Sequence, residues 1–400
     1  MSRGFAIPRG PAWPRCLHSQ RVLLRIGRTR PELNAVQVVK SLLPVLLFAA
    51  SCLAASHAQA VSPPVFVPLG TLGGSDSFGE SSRAMGVSDD GTAVVGDSLA
   101  SVGFGVTKGI EAFMWTKENG MKGLGALSDE PFSSTAWDVA RRGTTVVGHS
   151  HTPDGRQAFY WQKDRGIRGL GCLPRHHRSM AYGVSADGKV IVGSSSSSEA
   201  TFAFRWTEES SMVSLGDLPG GRTSSAALAV SANGRVIVGR GSSQRGQEAF
   251  RWSSEDGLVG LGDLPDGEFY SAAYGVSEDG QYLVGEARSA AGMEAFLWSL
   301  KTGMTKLGDL ADGDFASTAY AVSATGHIVV GRASGPDGAE AFVWTAGGRM
   351  QSLHALVRAQ PKFQDWELEA ARDVSADGNT IVGVGRNPAG QPAAWLLKMR

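Results

Sequence analysis

Tryptophan recurs along this chain with a spacing that few folds can produce. Trp115, Trp161, Trp206, Trp252, Trp298, Trp344 and Trp395 stand 46, 45, 46, 46, 46 and 51 residues apart. A period near 46 marks one supersecondary unit stacked on copies of itself, and it displaces the two or three domains that 400 residues would otherwise suggest. Each Trp ends a strand-like segment such as Glu248-Ala-Phe-Arg-Trp252, and Leu-Gly follows at Leu124, Leu170, Leu215, Leu261 and Leu307. Next come Ala181-Tyr-Gly-Val-Ser185 or a variant, an Asp-Gly turn, and a Val/Ile run closing on Gly, as in Val190-Ile-Val-Gly193.

These are four short β segments per repeat, joined by turn chemistry. Asp187-Gly188, Asn233-Gly234, Asp279-Gly280 and Asp377-Gly378 sit where a tight hairpin needs positive φ. Four strands at this period predict a seven-bladed β-propeller rather than a thinner solenoid. Strands near a propeller axis are crowded, so the small-residue Ala-Tyr-Gly-Val-Ser segment is expected innermost. The Val-Val-Gly strand is then second, Ala-Phe-x-Trp third and Leu-Gly outermost. The repeats open on an orphan outer strand (65–72) and end on an orphan third strand (393–399). One N-terminal outer strand plus three C-terminal strands would complete the seventh blade and remove an exposed sheet edge. Phe and Trp of each third strand share a face, expected between blades, which predicts a loss of about 3–5 kcal/mol for Trp252→Ala.

Together these motifs resemble the HAF-repeat family of bacterial extracellular repeat proteins. Leu215-Gly-Asp-Leu-Pro-Gly-Gly221, Ala181-Tyr-Gly-Val-Ser-Ala-Asp-Gly188 and Glu248-Ala-Phe-Arg-Trp252 carry the resemblance, which covers residues 65–400. It implies an exported repeat protein without an assigned reaction. The His of the family's His-Ala-Phe is replaced here by Glu111, Gln157, Phe202, Glu248, Glu294, Glu340 and Pro392, so no role needing that His carries over.

The first 60 residues differ from the repeats. Seven arginines and no acid occupy residues 1–30, then Lys40 precedes an apolar run over 41–55 and Ala58-Gln59-Ala60. A positive stretch, a short apolar core and an A-x-A site read as a secretory signal peptide cleaved after Ala60, with residues 1–35 open to being an over-extended gene start. The core is too short and too Ala-rich for a comfortable membrane span, and no transmembrane helix is expected in residues 61–400 either. Localisation is expected to be secreted or periplasmic, with lipid anchoring through Cys52 as the alternative. Residues 61–400 carry 30 basic against 37 acidic side chains, a net charge of −7 that disfavours nucleic acid. Only Cys172 falls in that segment, so no disulfide can form within it.

Loop lengths point to a face. From the inner-strand Val to the closing Gly of the second strand is always nine residues, as from Val87 to Gly96 and from Val374 to Gly383. All variation lies in the second-to-third-strand and blade-to-blade connections, which an up-and-down blade opens on one face, and insertions confined to one face mark it as functional. The long connections 97–111, 70–83 and 354–370 supply the ligand-binding candidates Asp76, Phe78, Glu80, Arg83, Phe104, Lys108, Lys362, Phe363, Asp365 and Trp366. Their aromatics and mixed charges suit a carbohydrate or peptide; the alternative is that long loops seal the closing blade. His149, His151, His176 and His177 are the candidate metal ligands for a divalent ion. No other cofactor is expected, and Asp217, Asp263 and Asp309 are read as turn residues rather than calcium ligands. No nucleophile elbow, phosphate loop or dinucleotide fingerprint occurs in a fitting context, so no catalytic residue is assigned. The inner strands hold mostly Ala, Gly, Val and Ser, with Asp138 and Arg372-Asp373 as exceptions. The expected function is an exported, monomeric, non-catalytic binding or scaffolding propeller for a glycan or protein. The alternative is a propeller lyase or glycosidase acting on extracellular polysaccharide.

Overall fold

The computed structural model describes residues 63–73, 81–101, 107–130, 132–310, 315–336 and 338–399, and of residues 101, 107 and 108 the backbone alone. The 1–60 leader, Asp76, Phe78, Glu80, Phe104 and the Lys108 side chain lie outside the described residues. The strands belong to one compact unit, Ser62–Arg400. That unit is built almost wholly of antiparallel four-stranded meanders.

One repeat stands for the pattern. Ser271–Val276 pairs with Tyr282–Ser289, that with Gly292–Ser299, and that with Gly303–Gly308. The same order recurs from Ser82–Val87 to Gly120–Gly123, from Ser134–Val139 to Gly166–Gly171, and from Ser317–Val322 to Gln351–Ser352. Between them lies an eight-stranded sheet of two such meanders, joined by a single parallel bridge from Thr201 to Ser224. The first strand, Val65–Pro68, pairs antiparallel with the last, Pro392–Lys398, and their sheet continues through Thr380–Arg386 to Glu367–Val374.

The side chains explain this regularity. Five of the seven inner-to-second-strand turns are held by a serine hydroxyl and the Asp or Asn two residues on. In one copy Ser277 Oγ donates to Asp279 at 2.7 Å and accepts from Tyr282 N at 3.0 Å, while Gly280 takes φ of +76°. On the second strand, a Cβ at Gly239 would strike both Ala226 O and the Phe250 ring, so only glycine lets the neighbouring Phe lie flat there. Phe113, Phe159, Phe204, Phe250, Phe296 and Phe342 occupy this position and are fully buried. The tryptophan two residues on is half-buried, as at Trp252, so the strand buries its Phe more completely than its Trp. Trp395 corrects the tryptophan register: it pairs with Gly383 and fills the Phe position, while Leu397 takes the place of the periodic Trp. In that register the last interval is 53 residues, from Trp344 to Leu397, and the insertion 354–370 accounts for its length.

Serine also ties one repeat to the next at every junction but the one into Glu367–Val374, where Glu369 stands at the serine position. Ser134 Oγ accepts from Ala112 N at 2.9 Å and donates to Gly125 O at 2.6 Å, both in the preceding repeat. Ser179, Ser225, Ser271 and Ser317 repeat the arrangement. Ser82 makes the same pair of bonds to Ala394 N and Gly70 O, linking the first inner strand to the sheet built from both chain ends.

The connection after Gln351–Ser352 carries the short helix Leu353–Arg358, whose N-terminus is capped by Ser352 Oγ, and a 3-10 turn at Pro361–Phe363. No helical segment of this length was legible in the repeat pattern. Its Phe363 and Trp366 meet the Phe66 ring edge-on at 4.8 and 5.1 Å. The insertion therefore packs against the N-terminal strand within one core cluster.

Candidate functional site

Every inner strand contains a β-bulge at the same place. The register to the second strand skips one residue between Ala84 and Gly86, Ala136 and Asp138, Ala181 and Gly183, and Ala227 and Ala229. It skips again between Ala273 and Gly275, Ala319 and Ala321, and Ala371 and Asp373. A bulge turns its extra residue out of the ladder. The residues turned out are Met85, Trp137, Tyr182, Leu228, Tyr274, Tyr320 and Arg372, and all seven line one cavity of about 340 Å³. That size is within the range of small-ligand pockets.

The ring is tightly knit. Trp137 and Tyr182 meet edge-on at 5.8 Å, as do Tyr274 and Tyr320, and the Arg372 guanidinium lies 4.6 Å above the Tyr320 ring. Arg372 Nε is buried without a hydrogen-bond partner. The residue after the bulge is Gly or Ala in five repeats but Asp138 and Asp373 in the other two. Asp138 accepts Val139 N at 2.7 Å and, from the next repeat, Val184 N at 2.8 Å. Asp373 accepts Val374 N and Val87 N, each at 2.8 Å. Both carboxylates thus bridge neighbouring inner strands while lining the cavity. Toward the constant-length turns the lining continues through Asp89, Ala186, Ala232, Glu278, Ala324 and Ala376. Among the described residues, none from the three long connections lines it.

Charge in this confined space perturbs ionisation. Burial raises Asp138 to about 7, with the Asp89 charge adding to it. Burial and then the charge of Asp138 push Asp373 well above the carboxylate range. Asp89 rises to about 6 through burial and then Glu278, opposed by Arg141.

Polar groups hold the ring from the other side. Trp137 Nε1 donates to His149 Nδ1 at 3.0 Å, and burial, reinforced by the charge of Arg156, lowers His149 to about 4, so the ring is a neutral acceptor near pH 7. Glu286 accepts from Tyr274 at 2.8 Å, Tyr270 at 3.2 Å and, across the repeat boundary, Thr318 at 2.6 Å. Burial and then Glu286 push the Tyr274 hydroxyl upward, keeping it a neutral donor.

The candidates read from loop length fall elsewhere. Arg83 forms a two-pronged ion pair with Asp97 at 2.7 and 2.9 Å, and Thr135 donates to the same carboxylate. Phe363 and Trp366 serve the core against Phe66. Trp366 keeps one edge on a groove with Asp365, Glu367 and Arg386, and Lys362 extends over Phe363 at 5.3 Å. His149 and His151 are neighbours at 6.0 Å between ring centres, with His151 Nε2 3.2 Å from Arg156 Nε. His176 stacks on Phe202 and lies 3.2 Å from Ser195 Oγ, while His177 contributes its backbone N–H to Ser196 O. Among the described residues no group of three or more His, Cys, Asp or Glu side chains is arranged to hold a metal ion. Asp217, Asp263 and Asp309 bond backbone N–H groups of their own turns. The ring residues escaped the sequence reading because six of the seven are ordinary apolar or aromatic types. The available signal was their fixed place, always second in an Ala-x-x-Val segment.

No protein-family profile matches the chain, and no curated protein matches it. Solved structures do. The β-propeller domain of the Trilobed protease from Pyrococcus furiosus, described as having an open velcro topology, is 10% identical with a TM-score of 0.51, over 80% of this chain and 94% of that one. TolB from Acinetobacter baumannii is 13% identical with a TM-score of 0.46, over 66% of this chain and 63% of that one. A TolB described as putative, from Agrobacterium tumefaciens, is 14% identical with a TM-score of 0.40, over 58% of this chain and 89% of that one. The chain spans less than two thirds of the Acinetobacter protein's length. Among the described residues no helix is long and apolar enough to cross a membrane. The likeness to the Pyrococcus domain is one of fold alone, and it makes the chain an all-β protein of the β-propeller kind.

Proposed function

We propose that this chain is an exported, non-catalytic binding propeller of the HAF-repeat type, with seven blades closed by its N-terminal strand. Its ligand site is the central cavity. One observation carries the reading: seven bulges, one per repeat, aim seven side chains into a single space of about 340 Å³. A fold needs no such irregularity to pack, whereas bulges that re-aim side chains gather at sites. The room accommodates a sugar ring or a protein side chain. This moves the expected site from the long loops to the axis.

Neighbour contacts support seven blades in a ring. Val87 N bonds to Asp373 and Ala376 N to Asp89 O at 2.9 Å, so the last repeat contacts the first as repeats adjacent in sequence contact one another. Secretion rests on the leader.

A thermal-shift panel of oligosaccharides and peptides on the full chain tests the site. A ligand at 100 times its Kd stabilises by about 2.7 kcal/mol. The ligand that shifts wild type is expected to leave Tyr320→Leu unshifted and to act normally on Trp366→Phe. The reverse pattern would return the site to the long connections.

A further inference from the structure

We infer that the central cavity selects a ligand bearing an organic cation, an ammonium or guanidinium group. This rests on the proposed binding site and specifies its chemistry.

The walls supply two kinds of attraction for a cation. Trp137, Tyr182, Tyr274 and Tyr320 present aromatic rings around the space, and cations are drawn to ring faces. The cavity already uses this attraction, where Arg372 sits over Tyr320. Below the ring stand four carboxylates, Asp89, Asp138, Glu278 and Asp373, contributed by four different repeats. The positive groups facing them are Arg372 in the cavity and Arg141 beside Asp89. When all four carboxylates are ionised, negative charge exceeds positive by two. A narrow, low-dielectric space lined by one sign of charge concentrates counter-ions of the other. Backbone N–H groups take two acceptor sites on each of Asp138 and Asp373, and a carboxylate offers about four, so both can accept from a ligand as well. A metal ion fits less well, because four aromatic side chains line the same space. A bulky ammonium fits both the rings and the acids.

The same carboxylates set the pH response. Asp89 and Asp138 ionise late because of burial, at about 6 and about 7, and burial with the Asp138 charge raises Asp373 well above its ordinary value; Glu278, Asp90, Arg141 and Arg372 are the other charged groups facing them. Above these values they are charged and attract the ligand, and below them they are neutral. Cation binding is therefore strong at pH 8 and lost as pH falls through about 7 to 6.

A free amine and a lysine side chain on a protein present the same chemistry, so the test carries both. The full chain is titrated with tetramethylammonium, butylammonium and an acetylated lysine amide, following Trp137 fluorescence against a Trp137→Phe blank. tert-Butanol and butanol serve as uncharged isosteres. The expected result is that cations bind at least tenfold more tightly than isosteres at pH 8. Tyr320→Leu and Glu278→Gln should each weaken them at least threefold, as should lowering the pH to 5.5. A preference for the lysine amide over butylammonium would point to a protein partner, and the reverse to a free amine. Isosteres binding as well as cations, or no cation binding, would overturn the inference. A neutral glycan lost in Tyr320→Leu would then still uphold the site. Cation binding unchanged in both variants would overturn both.

Discussion

Phe250 and Trp252 stand two residues apart on one strand face and differ in what they bury. Phe250 has no exposed surface, while Trp252 is half-buried at the edge of the same cluster. Removing a fully buried Phe costs about 3–5 kcal/mol, so Phe250→Ala should lose that much in urea denaturation. Trp252→Ala should lose less, about 1–3 kcal/mol, because part of its ring already faces water. Equal losses would contradict this division of burial. The repeat made the tryptophans conspicuous, but a period records position and says nothing about which of two aligned aromatics faces a glycine. Trp395 makes the point: spacing aligned it with the other tryptophans, whereas pairing with Gly383 puts it among the phenylalanines. Tyr182, Tyr274 and Tyr320 were equally visible in the sequence, yet their exit from the ladder depends on a bulge.

At the scale of the strand, serine is the recurrent device. Ser271 Oγ accepts from Ala249 N at 2.9 Å and donates to Gly262 O, joining two strands and a connection of two repeats, with Ser271 fully buried. Ser271→Ala leaves both backbone groups unsatisfied and should cost about 1–3 kcal/mol, read by chemical denaturation. The exposed Ser254→Ala is expected to stay within about 0.5 kcal/mol. A silent Ser271→Ala would mean that water replaces the hydroxyl. Strand order and turns were legible because Gly, Asn and Asp mark φ requirements locally. The bulges were not, since an extra residue inside an inner strand leaves the nine-residue spacing from Val to Gly unchanged in all repeats. The long connection 354–370 was legible as an insertion. Its use was not, because only the fold places Phe66 beneath Phe363 and Trp366.

For the whole molecule, the central cavity depends on the chain ends. All seven repeats contribute to it, so a gap between the last repeat and the first would open it on the side where Asp373 and Asp89 lie. Contacts across that boundary include the Ser82 staple, the Asp373 bond to Val87 N, the bond from Ala376 N to Asp89 O, and the pairing of Val65–Pro68 with Pro392–Lys398. Closure is therefore the feature to test here. Val65 and Lys398 are directly paired and exposed, and directly opposed antiparallel residues lie within disulfide reach. The measurement is oxidation of a Val65→Cys/Lys398→Cys chain whose other cysteines are replaced by serine. Closure predicts rapid, complete cross-linking of the folded protein, with a higher Tm that reduction reverses. Thiols that stay free until the protein is unfolded would contradict closure, and with it the account of the central site.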